Sequence, residues 1–411
     1  MARRDRVVVG LDIGTTKICA VVAEVTEDHA VNIIGVGSSA SRGLRKGMVS
    51  DIELTVESIK KAVEEAELMT GGQINAVYTG IAGSHISVAH SHGVVALNKQ
   101  EVTRGDVQRA VEQARACVRV EPDRRVLHVI PREFTVDDQD GIREPYGMSG
   151  ARLKVDVHII TGAFTSAQNI IKSVNRAGLD LVDIVLQPLA SSEAVLSIEE
   201  RELGVAMVDL GGGTTDLAIF VDGSIRHVAV LPIGGQNLTR DIAIGMLTSQ
   251  TEAEKLKIKH GVACVDMVKS GETVEVPAAG DRPARLVPRK DLASVIEPRV
   301  EEMFELVHDE IKRAGYEGML GAGVVITGGT SMLEGMPDAA ERVLNLPGRR
   351  GAPTGVEGLR DIVGTPMHAT AVGLILHAHR HADDRETAGL RGGRRGGRVF
   401  GRMREWMLEF F

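Results

Sequence analysis

Aromatic residues make up only 3% of this chain of 411 residues, seven Phe, three Tyr and one Trp, so ring stacking cannot dominate its core. Four of them, Phe400, Trp406, Phe410 and Phe411, crowd into the last few positions. Cysteine is scarcer still. Cys19, Cys117 and Cys264 lie far apart and form no Cys-x-x-Cys pair, which argues against a disulfide framework and a zinc site and fits a reducing cytoplasm. There is no excess of basic charge. The net −8 counts against a general nucleic-acid binder, and no nucleic-acid partner is expected. No apolar run is long enough to span a bilayer, and Met1-Ala2-Arg3-Arg4-Asp5-Arg6 runs into a strand with no signal-peptide core. What remains is an ordinary composition, 43% hydrophobic and 25% charged, at a length that calls for two or more domains.

The stretch Asp209-Leu210-Gly211-Gly212-Gly213-Thr214-Thr215-Asp216 stands between two alternating apolar runs and predicts a strand, a glycine turn and a second strand. Glycines let backbone amides approach an anion with no Cβ in the way, and successive amides make a concave donor cluster. Thr214 and Thr215 add hydroxyls. Asp209 would repel a bare phosphate but can hold the hydrated magnesium that accompanies one. A glycine-rich hairpin turn explains one such stretch equally well. A second occurs near the start, Asp12-Ile13-Gly14-Thr15-Thr16-Lys17 after Val7-Val8-Val9. Two copies favour a pair of phosphate loops that clamp a polyphosphate from both sides.

Along the chain the pattern is α/β. A helix capped by Ser50 or Asp51 carries Ile52, Val56, Ile59, Val63 and Ala66 on one face and stops at Gly71-Gly72. Near Ser84 the pattern changes to short strands at Ile86, Val88 and Val94-Val95. A helix capped by Thr103 follows, then strands at 126–130 and 153–159, separated by the acidic loop Asp137 to Gly141. This predicts a small α+β insertion, and the acidic loop lacks EF-hand spacing. Further helices are expected over 167–177, 188–198, 238–246, 251–259 and 370–377, and a long one over 291–314. Residues 261–290 read as hairpins and loops. A buried strand at 323–327 ends at Gly328-Gly329-Thr330, which leaves room for a flat ring and serves equally as a plain strand-to-helix turn.

After His379 the chain becomes glycine- and arginine-rich, with Arg391, Arg394, Arg395 and Arg398, a composition of flexible linkers. On a helical wheel, Val399, Phe400, Met403, Trp406, Met407, Phe410 and Phe411 fill one arc of roughly 140°, with Arg402, Glu405 and Glu409 opposite. A helix of that length spans only about 20 Å, too short to cross a bilayer. It predicts an interfacial membrane anchor rather than a helix docked on the protein's own core, weak as one copy and firm as many.

Paired phosphate hairpins on α/β halves resemble the actin, Hsp70 and sugar-kinase superfamily. Within it, the hairpins together with Ser84-His85-Ile86, His128-Val129-Ile130-Pro131, Gly147-Met148-Ser149-Gly150, Val155-Asp156-Val157-His158, Ile296-Glu297-Pro298-Arg299, Ile326-Thr327-Gly328-Gly329 and Ala369-Thr370-Ala371-Val372-Gly373 resemble the FtsA family of actin-like bacterial division proteins. The resemblance covers nearly the whole chain except the linker. It implies an actin-like two-lobed ATPase fold with an inserted small α+β subdomain and a C-terminal amphipathic helix. The subdomains would be 1A (1–83, 164–198 and 341–379), 1C (84–163), 2A (199–232 and 305–340) and 2B (233–304), with a linker over 380–398 and a membrane-targeting helix over 399–411.

The resemblance also implies an ATP site with Mg2+. Gly14, Thr15, Thr16 and Lys17 would form one phosphate loop and Gly211, Gly212, Gly213, Thr214 and Thr215 the other. Gly234 and Gly235 would lie by the nucleotide, Glu254 and Lys257 near the ribose, and Gly328, Gly329 and Thr330 near adenosine, with Asp12 and Asp209 near the metal. Gln187 stands where the superfamily orients the attacking water. A glutamine is a poor base, so any hydrolysis would be slow; the residue also serves as a plain helix terminus. Implied partners are further copies of the chain in a polymer, the C-terminal tail of FtsZ at Arg299 and Glu302, inner-membrane lipids and other division proteins. The implied place is the cytoplasmic face of the membrane at the division site. Arg299 and Glu302 read equally as a solvated helix face. Alternatives are an actin-like adaptor of another membrane machine, such as type IV pilus assembly, and a metabolite kinase.

Overall fold

A computed structural model describes residues 6–97, 101–277 and 283–381. The expected membrane helix, with Val399, Phe400, Met403, Trp406, Met407, Phe410 and Phe411, lies outside the described residues, as does nearly all of the linker.

Two sheets share one plan. In the first, the strands run Asp180–Leu186, Ala76–Ile81, Arg6–Ile13, Lys17–Val25, Val31–Ala40 and a short edge strand at Glu357–Gly358. In the second they run Gly348–Arg350, Val324–Thr327, Val205–Leu210, Thr215–Val221 and Ser224–Leu231. Each is an antiparallel meander of three strands whose first strand also pairs in parallel with a later one. Parallel neighbours need a crossover, and helices supply it. Val205–Leu210 is buried at every position, so Val205 to Val208 are all apolar and Asp209 is the one charged side chain the strand takes inside.

Helix ends follow local chemistry. Asp51 caps Ile52–Thr70 by accepting from the Leu54 amide at 3.1 Å, and Gly71 ends it at φ 67°. The long helix Arg289–Ala314 buries Leu292, Ile296, Val300, Met303, Phe304, Val307 and Ile311 under the second sheet.

The insertion interrupts the first lobe between strand Ala76–Ile81 and helix Phe164–Arg176. It is a four-stranded sheet ordered Ser87–Ala96, Arg152–Ala163, Arg124–Val136 and Gln139–Ile142, covered by helix Arg104–Cys117. Its core of Val107, Ala110, Phe134, Leu153, Val155, Val157 and Ile159 is separate from those of the lobes.

Several local expectations are corrected. The short strands near Ile86 to Val95 are one continuous strand, Ser87–Ala96. The acidic loop is a tight turn followed by strand Gln139–Ile142, and Asp137 Oδ1 is taken up by the amides of Ala151 and Arg152, each at 2.9 Å. The helix expected over 188–198 is Gln187–Val195, after which Ser197 caps a separate helix, Ile198–Leu203. Strand Ser224–Leu231 and helix Met336–Leu344 were not anticipated.

The helix Ala369–Arg380 lies where the first lobe's parts meet. A Cβ at Gly373 would collide with the Ala190 carbonyl oxygen of helix Gln187–Val195, and one at Gly10 with the Ala371 carbonyl oxygen. Small residues on both sides allow a backbone-to-backbone approach that side chains would forbid. Gly373→Val is therefore expected to destabilise the chain by about 3 kcal/mol or more through overpacking. Urea denaturation checks this; a midpoint equal to that of the parent chain would contradict the packing described.

Candidate functional site

The two hairpins turn in the same way. Gly14 N donates to Lys17 O at 3.0 Å, and Gly211 N donates to Thr214 O at 3.0 Å. The flanking register is also shared: Asp12 pairs with Cys19, and Asp209 with Asp216. Hence Thr15-Thr16 of the first turn occupies the place of Gly212-Gly213 in the second, and not that of Thr214-Thr215. The reason is steric. A Cβ on Gly212 would strike the Thr16 side chain, and one on Gly213 the Thr15 side chain. The tips face each other, and threonines on one fit because the other has none.

Other elements build the walls. Gly235 N donates to Gly211 O at 3.0 Å and Gln236 N to Gly212 O at 2.8 Å, which lays the Gly234-Gly235 turn along the second hairpin. Thr330 Oγ1 donates to Gly211 O at 2.9 Å. Lys257 Nζ reaches Gly235 O at 3.1 Å, Thr239 Oγ1 at 3.0 Å and Glu254 Oε2 at 2.8 Å. Glu254 and Lys257, three apart on helix Gln250–His260, thus present together from one face. Gly328 has φ 82° and would bring a Cβ against Asp209 Oδ1 and Leu210 O, so both its conformation and its neighbours require glycine. Gly329 adjoins it at the Met367 side chain. Thr214 and Thr215 are buried, and Thr215 Oγ1 donates to Ile233 O at 2.9 Å. Lys17 Nζ donates to Met367 O at 2.9 Å, across 350 positions of sequence.

At the floor lie carboxylates. Asp209 Oδ2 accepts from Ser191 Oγ at 2.6 Å and from Thr370 Oγ1 at 3.3 Å. Asp12 Oδ1 accepts from Gln187 Nε2 at 3.2 Å, and Gly80 leaves the room for that glutamine. Asp216 is buried, and its Oδ1 has no hydrogen-bond partner. Burial pushes the Asp12 carboxyl up to about 7, with Lys17 opposing and Asp209 adding. Burial raises Asp209 against its two hydroxyl bonds. It raises Asp216 well above the ordinary range, helped by Asp209 and Asp12. The floor has gathered more negative charge than Lys17 offsets.

The structure thus brings Asp12, Gly14 to Lys17, Gln187, Asp209, Gly211 to Thr215, Gly234, Gly235, Glu254, Lys257 and Gly328 to Thr330 around one cleft. Arg299 and Glu302 belong to a different cluster. Arg299 Nε donates to Asp241 Oδ2 at 2.6 Å, and its guanidinium also bonds Glu302. Sequence reasoning gave no role to Asp216, Ser191 or Thr370. Asp216 was legible as the hairpin partner of Asp209; nothing in the sequence marks Ser191.

Family models match two stretches, residues 206–373 to "Cell division protein FtsA" and residues 83–161 to "SHS2 domain inserted in FTSA". The chain is 47% identical over 379 residues to the cell division protein FtsA of Pseudomonas aeruginosa, covering 92% of this chain and 91% of that protein. It is 45% identical to the Escherichia coli K12 protein over 377 residues, 90% of each chain. Identity to the Bacillus subtilis protein is 40% over 376 residues, covering 91% of this chain and 84% of that one. Among solved structures, the PilM-PilN type IV pilus biogenesis complex is similar with a TM-score of 0.65 at 17% identity, over 90% of this chain and 98% of that one. MreB5 of Spiroplasma citri bound to ADP gives 0.54 at 14%, over 93% and 98%. These last two establish the actin-like fold, and the sequence relatives establish more: the chain belongs to the FtsA family of actin-like cell division proteins.

Proposed function

We propose that the cleft binds ATP with Mg2+, that the bound nucleotide sets the posture of the two lobes, and that chains so set polymerise on the cytoplasmic face of the inner membrane. In this reading residues 399–411 hold the lipid surface and the polymer carries the C-terminal tail of FtsZ, with other division proteins joining it. The observation that carries the nucleotide reading is the pair of like-turned hairpins meeting tip to tip over buried carboxylates. Amides and hydroxyls of Gly14 to Lys17 and Gly211 to Thr215 suit a polyphosphate. Gly234, Gly235 and Gly328 to Thr330 make a low wall for adenosine, and Glu254 and Lys257 offer an acceptor and a donor to ribose.

The floor fits a divalent cation. With Lys17 the one cation acting on Asp12, the unpartnered Asp216 oxygen and the raised Asp12 and Asp209 carboxyls leave the floor short of positive charge. Among the described residues no three His, Cys, Asp or Glu side chains come close enough to hold a metal directly. Asp12 and Asp209 would therefore hold Mg2+ through its water shell, where the ion offsets phosphate charge. Gln187, fixed on Asp12, can orient a water by hydrogen bonding but takes no proton at neutral pH, so turnover is slow. On the second lobe, Arg299 and Glu302 offer a partly exposed ion-paired helix face to the FtsZ tail.

Four experiments test these assignments. Gly212→Asp sets a carboxylate against Thr16 in the phosphate space; ATP affinity in equilibrium titration should fall at least about a hundredfold, and an unchanged affinity refutes the cleft. The raised Asp12 makes a signed prediction. Its carboxyl stays protonated in the fold up to about 7, against 3.8 ordinarily, so its ionisation costs stability progressively as pH rises through that window. Asp12→Asn should then raise the melting temperature of the nucleotide-free chain near neutral pH by about 5 °C or more. The same variant should remove the proton released when Mg·ATP binds near pH 7, read by calorimetry in buffers of different ionisation enthalpy. For the tail, the intact chain should pellet with anionic liposomes when ATP is present, and a chain lacking residues 399–411 should stay in the supernatant. Equal pelleting of both would sink the anchor.

A further inference from the structure

Cationic and protonable groups accumulate on the seam between the inserted subdomain and the second lobe. The lobe's edge strand Ser224–Leu231 lies against strands Ser87–Ala96 and Arg124–Val136 of the insertion. An ordinary ion pair ties one end, where Arg143 donates to both carboxylate oxygens of Glu202, at 2.6 and 2.8 Å. The middle is different.

His158 is 2% exposed, and neither of its ring nitrogens has a hydrogen-bond partner in the protein. It sits opposite His90 on the neighbouring strand, with ring centroids 4.7 Å apart and planes at 63°. Arg132 comes from the third strand. There the register passes from Asp156↔Glu133 to Val157↔Pro131, so Arg132 is the extra residue of a bulge, and its Nε is also buried without a partner. Arg226 and His227 face these groups from the lobe. Arg226 is 9% exposed; it reaches Asp222 at 3.4 Å and Glu133 at 3.7 Å. His227 Nε2 lies 2.7 Å from Glu310 Oε1, and Glu310 is also bonded by Arg313. Asp156, on the strand of His158, is held by Lys154 at 3.0 Å. Every carboxylate nearby already has a cationic or imidazole partner. The groups that act electrostatically on His158 are His90, Arg132, His227 and Arg226, none of them acidic.

We infer that this seam is a proton-operated latch, closed while His158 and His90 are neutral and opened when they take up protons. A protonated His158 would add a buried cation beside arginines, whereas swinging the insertion away returns the ring to water. Burial first, and then the cationic neighbours, lower the ring from its usual 6.5 to about 3; His90 is lowered for the same reasons. The closed seam binds fewer protons than the open one. Its stability is complete above 6.5 and is lost as pH falls from there toward 3. For His158 alone, a drop from about pH 7.5 to about pH 5.5 multiplies the opening constant by about ten.

Hydrogen exchange of the full chain, corrected for the intrinsic pH dependence, reads the latch. Peptides over Ser224–Leu231 and the facing strand Ser87–Ala96 should lose protection about tenfold on acidification, while helix Arg104–Cys117 keeps its own. In His158→Leu, which is apolar and cannot protonate, that loss should shrink to a few-fold, and His158→Gln serves as a second variant if the leucine chain misfolds. The proposal fails if the seam keeps its protection in acid. It fails equally if the variants lose protection as the parent does, or if helix Arg104–Cys117 opens together with the seam, since that is unfolding of the insertion and not release of it.

Discussion

Asp209 is the joint of the molecule. It ends a strand of the second lobe, yet its carboxylate is held by Ser191 and Thr370, which start from helices of the first. Those two hydroxyls also lie 3.0 Å from each other, so the three side chains close a small ring across the lobe boundary. Gly328 seals its other side. A buried carboxylate with only hydroxyl partners is costly to keep charged, and anything that changes its charge balance acts on both lobes at once. The cleft between the hairpins and the lobe boundary are therefore one place. In the proposed function, a cation over Asp209 and Asp12 would relieve their repulsion at the point where the lobes are coupled.

Much of the architecture was legible because it is local. The repeated hairpins, the caps at Asp51 and Thr103, and the apolar face of the long helix each follow from short-range chemistry. The register between the hairpins was less legible. Reading Thr15-Thr16 against Thr214-Thr215 matches letters, whereas the closing bonds Gly14–Lys17 and Gly211–Thr214 set the equivalence in space. The sequence signal for strand Ser224–Leu231 lies in the turn before it. Asp222-Gly223, with φ of 52° and 70°, is the two-residue turn that joins hairpin strands. The break between Val195 and Ile198 was signalled by Ser197 and Glu200, a capping box inside an apolar stretch.

The cleft residues were legible as glycine, threonine and aspartate in pattern. Their supports were not. Ser191 is an unremarked serine in a short helix, and it matters only because a strand from the other lobe ends beside it. The same holds for His158 and Arg132. A buried imidazole with no partner looks in sequence like any alternating strand residue; the second lobe's edge makes it unusual. Contacts between domains are where a one-dimensional reading loses most, since neither partner announces the other.

The helix Ala369–Arg380 begins at the joint, through Thr370, and its far end delivers the chain to residues 382–411. A helix is stiff along its axis and is here pinned laterally by close backbone contact at Gly10 and Gly373. Tension applied to the chain beyond residue 381 thus has a straight load path to the floor of the cleft, with no loop in between to absorb it. A chain held at that end and pulled elsewhere would feel the force first at Thr370 and Asp209.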